Sequence, residues 1–106
     1  MPEESSVQVQ ARSQTELLRV LAHPIRLQVL WLLCDGEMHV NSLAERLGKG
    51  QAIVSQQLRI LRMAGLVESW RLNGFAYYRI ADANRRDLLR GIHDFSEKLS
   101  LVMHAR

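Results

Sequence analysis

Four polar side chains within residues 51–64 have a spacing that places them on one side of an α-helix. These residues are Ser55, Gln56, Arg59 and Arg62. All four can hydrogen-bond base edges or phosphates; glutamine pairs well with adenine, and arginine with guanine. On an isolated helix the same residues more often only face solvent. The flanking segments must therefore distinguish DNA reading from simple solvation.

The opposite side of the same segment is apolar, as in a helix with one buried face. Apolar residues recur there at i, i+4 and i+7, and they are Val54, Leu58 and Leu61. Gly50 is an acceptable N-cap, and Gly65 can end the helix in the left-handed conformation. The pattern predicts a helix from about Gln51 to Ala64, which we term the recognition helix.

Two segments typical of β-strands follow directly, at residues 66–71 and 75–80. They are rich in β-branched and aromatic residues. Asn73-Gly74 between them is the strongest short hairpin signal, because both residues tolerate a positive φ. A basic hairpin directly after such a helix predicts the wing of a winged helix-turn-helix. The wing favours DNA reading over simple solvation for the outer face of the recognition helix.

The helix before the recognition helix is predicted to start at Asn41 or Ser42. Ser42 and Glu45 match a Ser-x-x-Glu capping box, and Gly48 can end this helix. Residues 37–40 are expected to form a short strand that pairs with the wing. These elements complete the helix-turn-helix.

Two further helices are predicted nearer the N-terminus. Residues 1–12 are polar and are expected to form a flexible tail, so that the folded domain covers residues 13–106. A first helix is predicted from about Ser13 to Ala22. A second is predicted from Pro24 to Cys34, because proline is tolerated at the first position of a helix but not inside it.

The last helix is predicted from about Ala83 to Met103 and carries apolar residues at alternating four- and three-residue steps. This is the spacing of a coiled-coil seam. A domain of this size cannot cover both this stripe and the leucines of the first helix, so we expect a symmetric homodimer. The alternative is packing of the last helix on its own domain. The predicted interface residues are Leu17, Leu18, Leu21, Leu88, Ile92, Phe95, Leu99 and Val102.

The predicted fold is therefore mainly α with a small β-hairpin wing (α+β). It is a winged helix-turn-helix with five helices and dimerising terminal helices. The predicted DNA-binding residues combine the recognition helix with the turn before it and the hairpin after it. They are Lys49, Gln51, Ser55, Gln56, Gln57, Arg59, Arg62, Arg71 and Asn73.

Positive charge is concentrated on this reading segment. The net charge of the chain is +3, but residues 42–80 hold six basic and two acidic residues, which gives +4 there and −1 elsewhere. Such a distribution is the electrostatic footprint of a nucleic-acid partner. Arg71 near the hairpin tip can reach a phosphate or the minor groove. Arg79, farther along the returning strand, is equally consistent with a solvated strand residue.

Composition excludes several other classes of protein. A hydrophobic content of 47% excludes general disorder. No apolar run approaches the ~20 residues of a membrane span, and the first ten residues do not resemble a signal peptide. We therefore expect the chain to stay in the cytoplasm. The single cysteine, Cys34, excludes an intramolecular disulfide and fits a reducing compartment.

Over about residues 13–103 the sequence resembles the ArsR/SmtB family of bacterial dimeric repressors. The matching stretches are LxxLAHPIRLQVLWLL from Leu18, VxxLAERLG from Val40, VSQQLRILRMAGLV from Val54, and the wing strand YYRI. The resemblance implies a homodimer that binds a palindromic operator, an imperfect inverted repeat in double-stranded DNA, and leaves it when an inducer binds. The inducible behaviour comes from the resemblance alone, and the residues identify no small-molecule effector.

The resemblance also implies where a sensor would hold a metal, and this chain departs from those patterns. His39 and Asn41 stand where sensors of thiophilic metals have a cysteine pair. At the positions where zinc-type sensors have carboxylates and histidines, the last helix has Asp82, Asn84, Phe95 and Lys98. We therefore expect no metal site and no cofactor.

Three alternatives stay open at this level. A metal-responsive sensor would use His93 and His104, which share the family's eleven-residue separation but are out of register. A thiol-responsive sensor would use Cys34 alone, because Trp31 occupies the second-helix cysteine position and the last helix has no cysteine. A winged helix can also bind proteins, but its outer face would then be apolar or acidic. An enzyme is not indicated, because no nucleophile and base are paired.

Overall fold

Residues 3–104 of the chain are described by a computed structural model. They form five helices and a three-stranded antiparallel sheet with the strand order β1-β3-β2. The predicted winged helix-turn-helix is confirmed. The elements, in chain order, are α1 (Ser6–Leu21), α2 (Pro24–Cys34), β1 (Met38–His39), α3 (Val40–Leu47), α4 (Gln51–Met63), β2 (Val67–Leu72), β3 (Phe75–Ile80) and α5 (Ala83–His104).

The wing forms around a turn whose determinants are adjacent in the sequence. Asn73 has a φ of 52° and Gly74 a φ of 80°, the pair of positive angles that a two-residue type I′ hairpin needs. β2 and β3 pair in antiparallel register from this turn to their far ends. β1 joins the other edge of β3, with Met38 opposite Tyr78. The short strand predicted over residues 37–40 therefore exists, but it is only two residues long.

α1 begins seven residues before its predicted start at Ser13. The Gln8 amide donates to Ser5 Oγ (3.1 Å), and the Ser5 amide donates to Gln8 Oε1 (2.7 Å). This capping box satisfies two amides for which the helix itself has no acceptor. The predicted start is therefore wrong, and residues 6–12, which were expected to belong to a tail, are helical. Residues 1 and 2 of the expected tail lie outside the described part of the chain.

The first helix of the helix-turn-helix, α3, begins at Val40 instead of Asn41 or Ser42. Its N-cap is His39, whose Nδ1 accepts a hydrogen bond from the Asn41 amide at 2.9 Å. The predicted capping box at Ser42 is wrong, because Ser42 already lies inside the first turn. The end of the helix agrees with the prediction, since Gly48 is left-handed with a φ of 62°.

The hydrophobic core lies between α2, α3 and α4, and the base of the wing and one residue of α5 close it. α2 has the predicted bounds, and α4 ends at Met63, one residue before the predicted end. The α4 residues in the core recur at i, i+4 and i+7, so packing sets the rotation of α4 about its own axis. The least accessible large side chains are Val29, Leu30, Leu33, Leu43, Val54, Leu58 and Leu61.

One of the predicted dimer residues, Leu21, lies in the core of its own chain. Its side chain is 5% exposed, because the last turn of α1 packs against α2. The prediction of an interface position is therefore wrong for Leu21. The other seven predicted interface side chains are 36% to 72% exposed, which leaves them accessible to a second copy of the chain.

Most apolar side chains of α5 are not buried against the rest of this chain. Leu89 is its one buried residue among those described. The stripe at alternating four- and three-residue steps does not include Leu89, and it faces away from the core. Packing of this stripe onto its own domain, the alternative to dimerisation, is therefore not what the structure contains.

The described helices differ from membrane spans in length or apolar content. None of them is by itself long and apolar enough to cross a bilayer. α1 and α2 meet the length and composition requirement only when taken together across a bend of 87°.

Candidate nucleic-acid interface

The exposed side of α4 carries a row of polar side chains. They are Gln51, Ser55, Arg59 and Arg62, at steps of four, four and three residues. These steps make them neighbours along one face of the helix. All are exposed except Ser55, which is half-buried at the edge of the row. Gln56 is exposed beside them. We term the four residues the α4 row.

Gln57 does not belong to this surface, although the sequence pattern assigned it to the DNA-binding set. Its side chain is 9% exposed, and its Oε1 accepts a hydrogen bond from Arg26 Nη1 at 3.2 Å. On the helix it lies next to the buried residues Leu58 and Leu61. The prediction of a DNA contact is therefore wrong for Gln57.

A cleft of about 270 Å³ lies between the start of α4, the start of α3 and the inner face of the wing. Gln51 and Ser55 line its helical side, and Arg71 lines its strand side. The structure therefore brings together three predicted DNA-contact residues from two elements, α4 and β2. Among residues 3–104, the one hydrogen-bond acceptor of the Arg71 guanidinium is the Gly74 carbonyl oxygen, 3.5 Å from Nη1. Most of its donors are therefore free to meet an anion.

Asn41 and Tyr78 also line this cleft, and the sequence interpretation missed both. Tyr78 lies on the same face of the hairpin as Ala76, which is paired with Arg71. The strand alternation could therefore have placed Tyr78 beside Arg71. Asn41 follows the N-cap of α3, and a correct helix start would have placed it in the first turn of α3 but not beside the wing. Both side chains can donate a hydrogen bond to a phosphate.

The two remaining predicted contacts lie beside this surface and not in the cleft. Lys49 is exposed in the turn between α3 and α4, and Asn73 is exposed at the tip of the wing. The Lys49 amide donates to the Ala44 carbonyl oxygen at 3.0 Å, which holds the turn while leaving the ammonium group exposed. These positions bracket the exposed row on α4.

The basic side chains of this surface keep their charge uncompensated. Within residues 3–104, no ion pair involves Lys49, Arg59, Arg62 or Arg71. Arg79 differs, because its Nε lies 2.5 Å from Glu68 Oε1 and its guanidinium lies 4.9 Å from the centre of the Trp70 ring. Arg79 therefore belongs to the outer face of the wing, away from the cleft.

Two residues at sensor positions of the resembled family cap helices instead. His39 Nδ1 is the N-cap acceptor of α3, and its ring meets Phe75 edge to face at 4.8 Å between centroids. Asp82 Oδ1 accepts a hydrogen bond from the Arg85 amide at 2.7 Å in the first turn of α5. This backbone hydrogen bond lowers the pKa of Asp82. Each residue has a local structural use at the end of a helix.

Cys34 is a free cysteine buried at the end of α2. Burial raises the pKa of its thiol, and the nearby Arg90 guanidinium only partly opposes this effect. Arg90 Nη2 donates to the Cys34 carbonyl oxygen at 2.7 Å. A thiol with a raised pKa is protonated near neutral pH and is a weak nucleophile and metal ligand.

α5 brings His93 close to two carboxylates. Potential ligand atoms of His93, Asp94 and Glu97 lie within 4.8 Å of one another. Asp94 and Glu97 are exposed. His104 lies three turns farther along, roughly 16 Å at the rise of an α-helix, so it cannot share an ion with His93 of the same chain. The paired-histidine site considered from the sequence is therefore absent within one chain over residues 3–104.

The central part of the chain is similar in sequence to known bacterial regulatory proteins. A sequence profile described as "Bacterial regulatory protein, arsR family" matches residues 23–69. The chain is 36% identical over 83 residues to the biofilm growth-associated repressor of Xylella fastidiosa, covering 78% of this chain and 73% of that protein. It is 47% identical over 74 residues to the transcriptional regulator KmtR of Mycobacterium tuberculosis, covering 70% and 57% respectively.

Solved structures extend the similarity to the terminal helices. The transcriptional repressor BigR from Xylella fastidiosa gives a TM-score of 0.74 at 34% identity, covering 84% of this chain and 88% of that one. The DNA-binding domain Mb0332 from Mycobacterium bovis, described as a homodimeric winged helix-turn-helix, gives 0.79 at 30% identity. That match covers 98% of this chain and 97% of the other.

Proposed function

This chain belongs to the arsR family of bacterial regulatory proteins, and from that membership we propose that it is a homodimeric repressor of transcription that binds an inverted-repeat operator. The family is one of transcriptional regulators, so no enzymatic activity is assigned. Because a regulator of bacterial transcription acts where the DNA is, we place the protein in the cytoplasm.

The observation that carries the proposal is the joint surface of α4 and the wing. A row of exposed polar side chains on α4 continues into a cleft that Arg71 lines from the strand side. We assign base reading to Gln56 and Arg59, because an amide suits adenine and a guanidinium suits guanine in the major groove. Lys49, Arg62 and Arg71 neutralise phosphates. Five contacts of two kinds would then give both affinity and sequence preference.

The proposed dimer uses the exposed apolar stripe of α5 together with α1. Phe95 is 66% exposed and Val102 is 72% exposed. Exposure of a stripe of large apolar side chains to water is unfavourable for an isolated chain. Pairing with the same stripe of a second copy across a two-fold axis would bury these side chains. Leu17 and Leu18 on α1 add to the same interface. Two recognition helices then face two half-sites.

Selection of bound DNA from a random pool tests the proposal. We expect the enriched sequences to contain two half-sites related by inversion, with centres one helical turn (~34–36 Å) or a multiple of it apart. The selection is repeated with metals, persulfide and oxidant, so that an effector that releases DNA is detected in the same experiment. Enrichment of a lone half-site, or no enrichment, would contradict an inverted-repeat operator.

The proposed repressor holds no metal. We expect isothermal titration with zinc, nickel or cadmium at about pH 7.5, where protons compete little with a metal for its ligands, to give at most weak binding that leaves DNA affinity unchanged. The reason is that a closed zinc site needs four donors, whereas the cluster around His93 offers one histidine and two exposed carboxylates. Stoichiometric tight binding that His93→Ala abolishes, coupled to release of DNA, would show that the protein is a metal sensor. Loss of that tight binding in His104→Ala as well would indicate a site assembled from both histidines across the dimer.

A further inference from the structure

Arg26, in the first turn of α2, donates hydrogen bonds to two other helices. Its Nε donates to the Val20 carbonyl oxygen (2.7 Å) and its Nη2 to the Arg19 carbonyl oxygen (3.4 Å), both on α1. Its Nη1 donates to Gln57 Oε1 on α4 (3.2 Å). Among the described side chains, Arg26 is the one whose hydrogen bonds reach both α1 and the recognition helix.

The end of α1 explains the first two bonds. The Ala22 amide donates to the Leu18 carbonyl oxygen, and after this bond no helical amide reaches the carbonyls of Arg19 and Val20. Carbonyl groups in the last turn of a helix lack internal partners and carry the negative end of the helix dipole. The half-buried guanidinium of Arg26 supplies both the donors and the opposite charge.

The third bond enters the core. Gln57 is the one buried polar residue within residues 3–104, at 9% exposure. A guanidinium can only donate, so the partner of Arg26 must be the amide oxygen of Gln57. A buried amide is costly without a hydrogen-bond partner. The bond therefore favours one position of the Gln57 side chain and of the helix that carries it.

We propose that Arg26 and Gln57 are positioning residues that hold the recognition helix α4 at a set orientation to the dimerising helix α1. α1 packs on α2 and exposes Leu17 and Leu18, so the bridge is a direct polar connection from the dimer surface to α4. The orientation of α4 relative to the two-fold axis decides which half-site spacing both recognition helices reach together. The inference rests on the proposed homodimer, and it assigns neither residue a contact with DNA.

The test compares Gln57→Leu with Gln57→Glu on inverted-repeat DNA selected by the wild-type protein. Leucine keeps similar volume and removes the acceptor, whereas glutamate keeps an acceptor for Arg26. The measured quantity is the ratio of affinity for the selected spacing to affinity for the same half-sites moved apart by one base pair. We expect Gln57→Leu to lower this ratio about five- to tenfold, and Gln57→Glu to retain it.

Two controls separate positioning from stability. Gln28→Leu makes the same chemical change at an exposed position of α2, and it should keep the wild-type ratio. Affinity for a single half-site should stay close to wild type in Gln57→Leu, because the recognition side chains are intact. If Gln57→Leu does not fold, Arg26→Lys replaces it, since a compact ammonium can cap α1 but cannot also hold Gln57.

The outcomes are distinct. A wild-type ratio in Gln57→Leu would overturn the inference, even if the free energy of unfolding falls. An equal loss of the ratio in Gln57→Glu would also overturn it, because the acceptor would then be irrelevant. A wild-type protein with no spacing preference would contradict the proposed homodimer itself, and this inference with it.

Discussion

Leu99→Asp is expected to convert the proposed dimer to a monomer and to abolish tight binding to the proposed operator. Leu99 is 45% exposed in one chain and lies in the apolar stripe of α5. Pairing of two such stripes would bury the new carboxylate without a partner, at a cost of several kcal/mol. A monomer loses the gain from engaging two half-sites at once, roughly 100- to 10,000-fold in affinity. Sedimentation velocity and titration with the selected DNA measure the two effects.

Leu101→Asp is the matched control for this substitution. Leu101 is 72% exposed and lies outside the stripe on the same helix, so the same change there should leave both dimer and affinity close to wild type. Phe95→Asp, inside the stripe, should behave like Leu99→Asp. A Leu99→Asp protein that stays dimeric would remove α5 from the interface. A wild-type chain that is monomeric at micromolar concentration and still binds DNA tightly would contradict the dimer altogether.

Arg59→Ala is expected to lower affinity for the selected operator by ~1–3 kcal/mol and to relax sequence preference at one base pair. Arg59 is exposed in the middle of the α4 row, where a guanidinium can reach the O6 and N7 acceptors of guanine. Competition binding against operators with single base changes measures both effects. An Arg59→Ala protein with unchanged operator affinity would exclude Arg59 from base reading.

Arg71→Ala provides the contrast, because it removes a charge of the same kind from the wing. A phosphate contact carries no sequence information, so this variant should weaken binding to all DNA sequences about equally. The magnitude of the salt slope should fall by about one unit, since one fewer counterion is released. A loss confined to particular base changes would show that Arg71 reads sequence.

The elements that could be predicted from the sequence are those whose determinants are adjacent in the chain. Asn73-Gly74 forms the predicted turn because its two positive φ values depend on these residues alone. The recognition helix agrees within one residue because Gly50 and the apolar period delimit it locally. The start of α1 was also readable, since Ser5 and Gln8 form a capping box. The polar composition of the first residues instead predicted a tail.

Whether a predicted surface residue is exposed depends on contacts between elements that are distant in the chain. The outward polar pattern of α4 includes Gln57, but Arg26 on α2, 31 residues away in sequence, gives its amide a buried partner. Leu21 matches the other leucines of α1, yet contact with α2 places it in the core.

The cleft likewise depends on three elements. Asn41 becomes a neighbour of Arg71 and Tyr78 only when the wing folds back beside α3 and α4. The order of the helices, the turn and the positive charge of the α4 and wing surface could be predicted from the sequence, because these follow from local backbone preferences and composition. The burial of Gln57 and Leu21 and the composition of the cleft depend on contacts between residues distant in the chain, which no local pattern encodes.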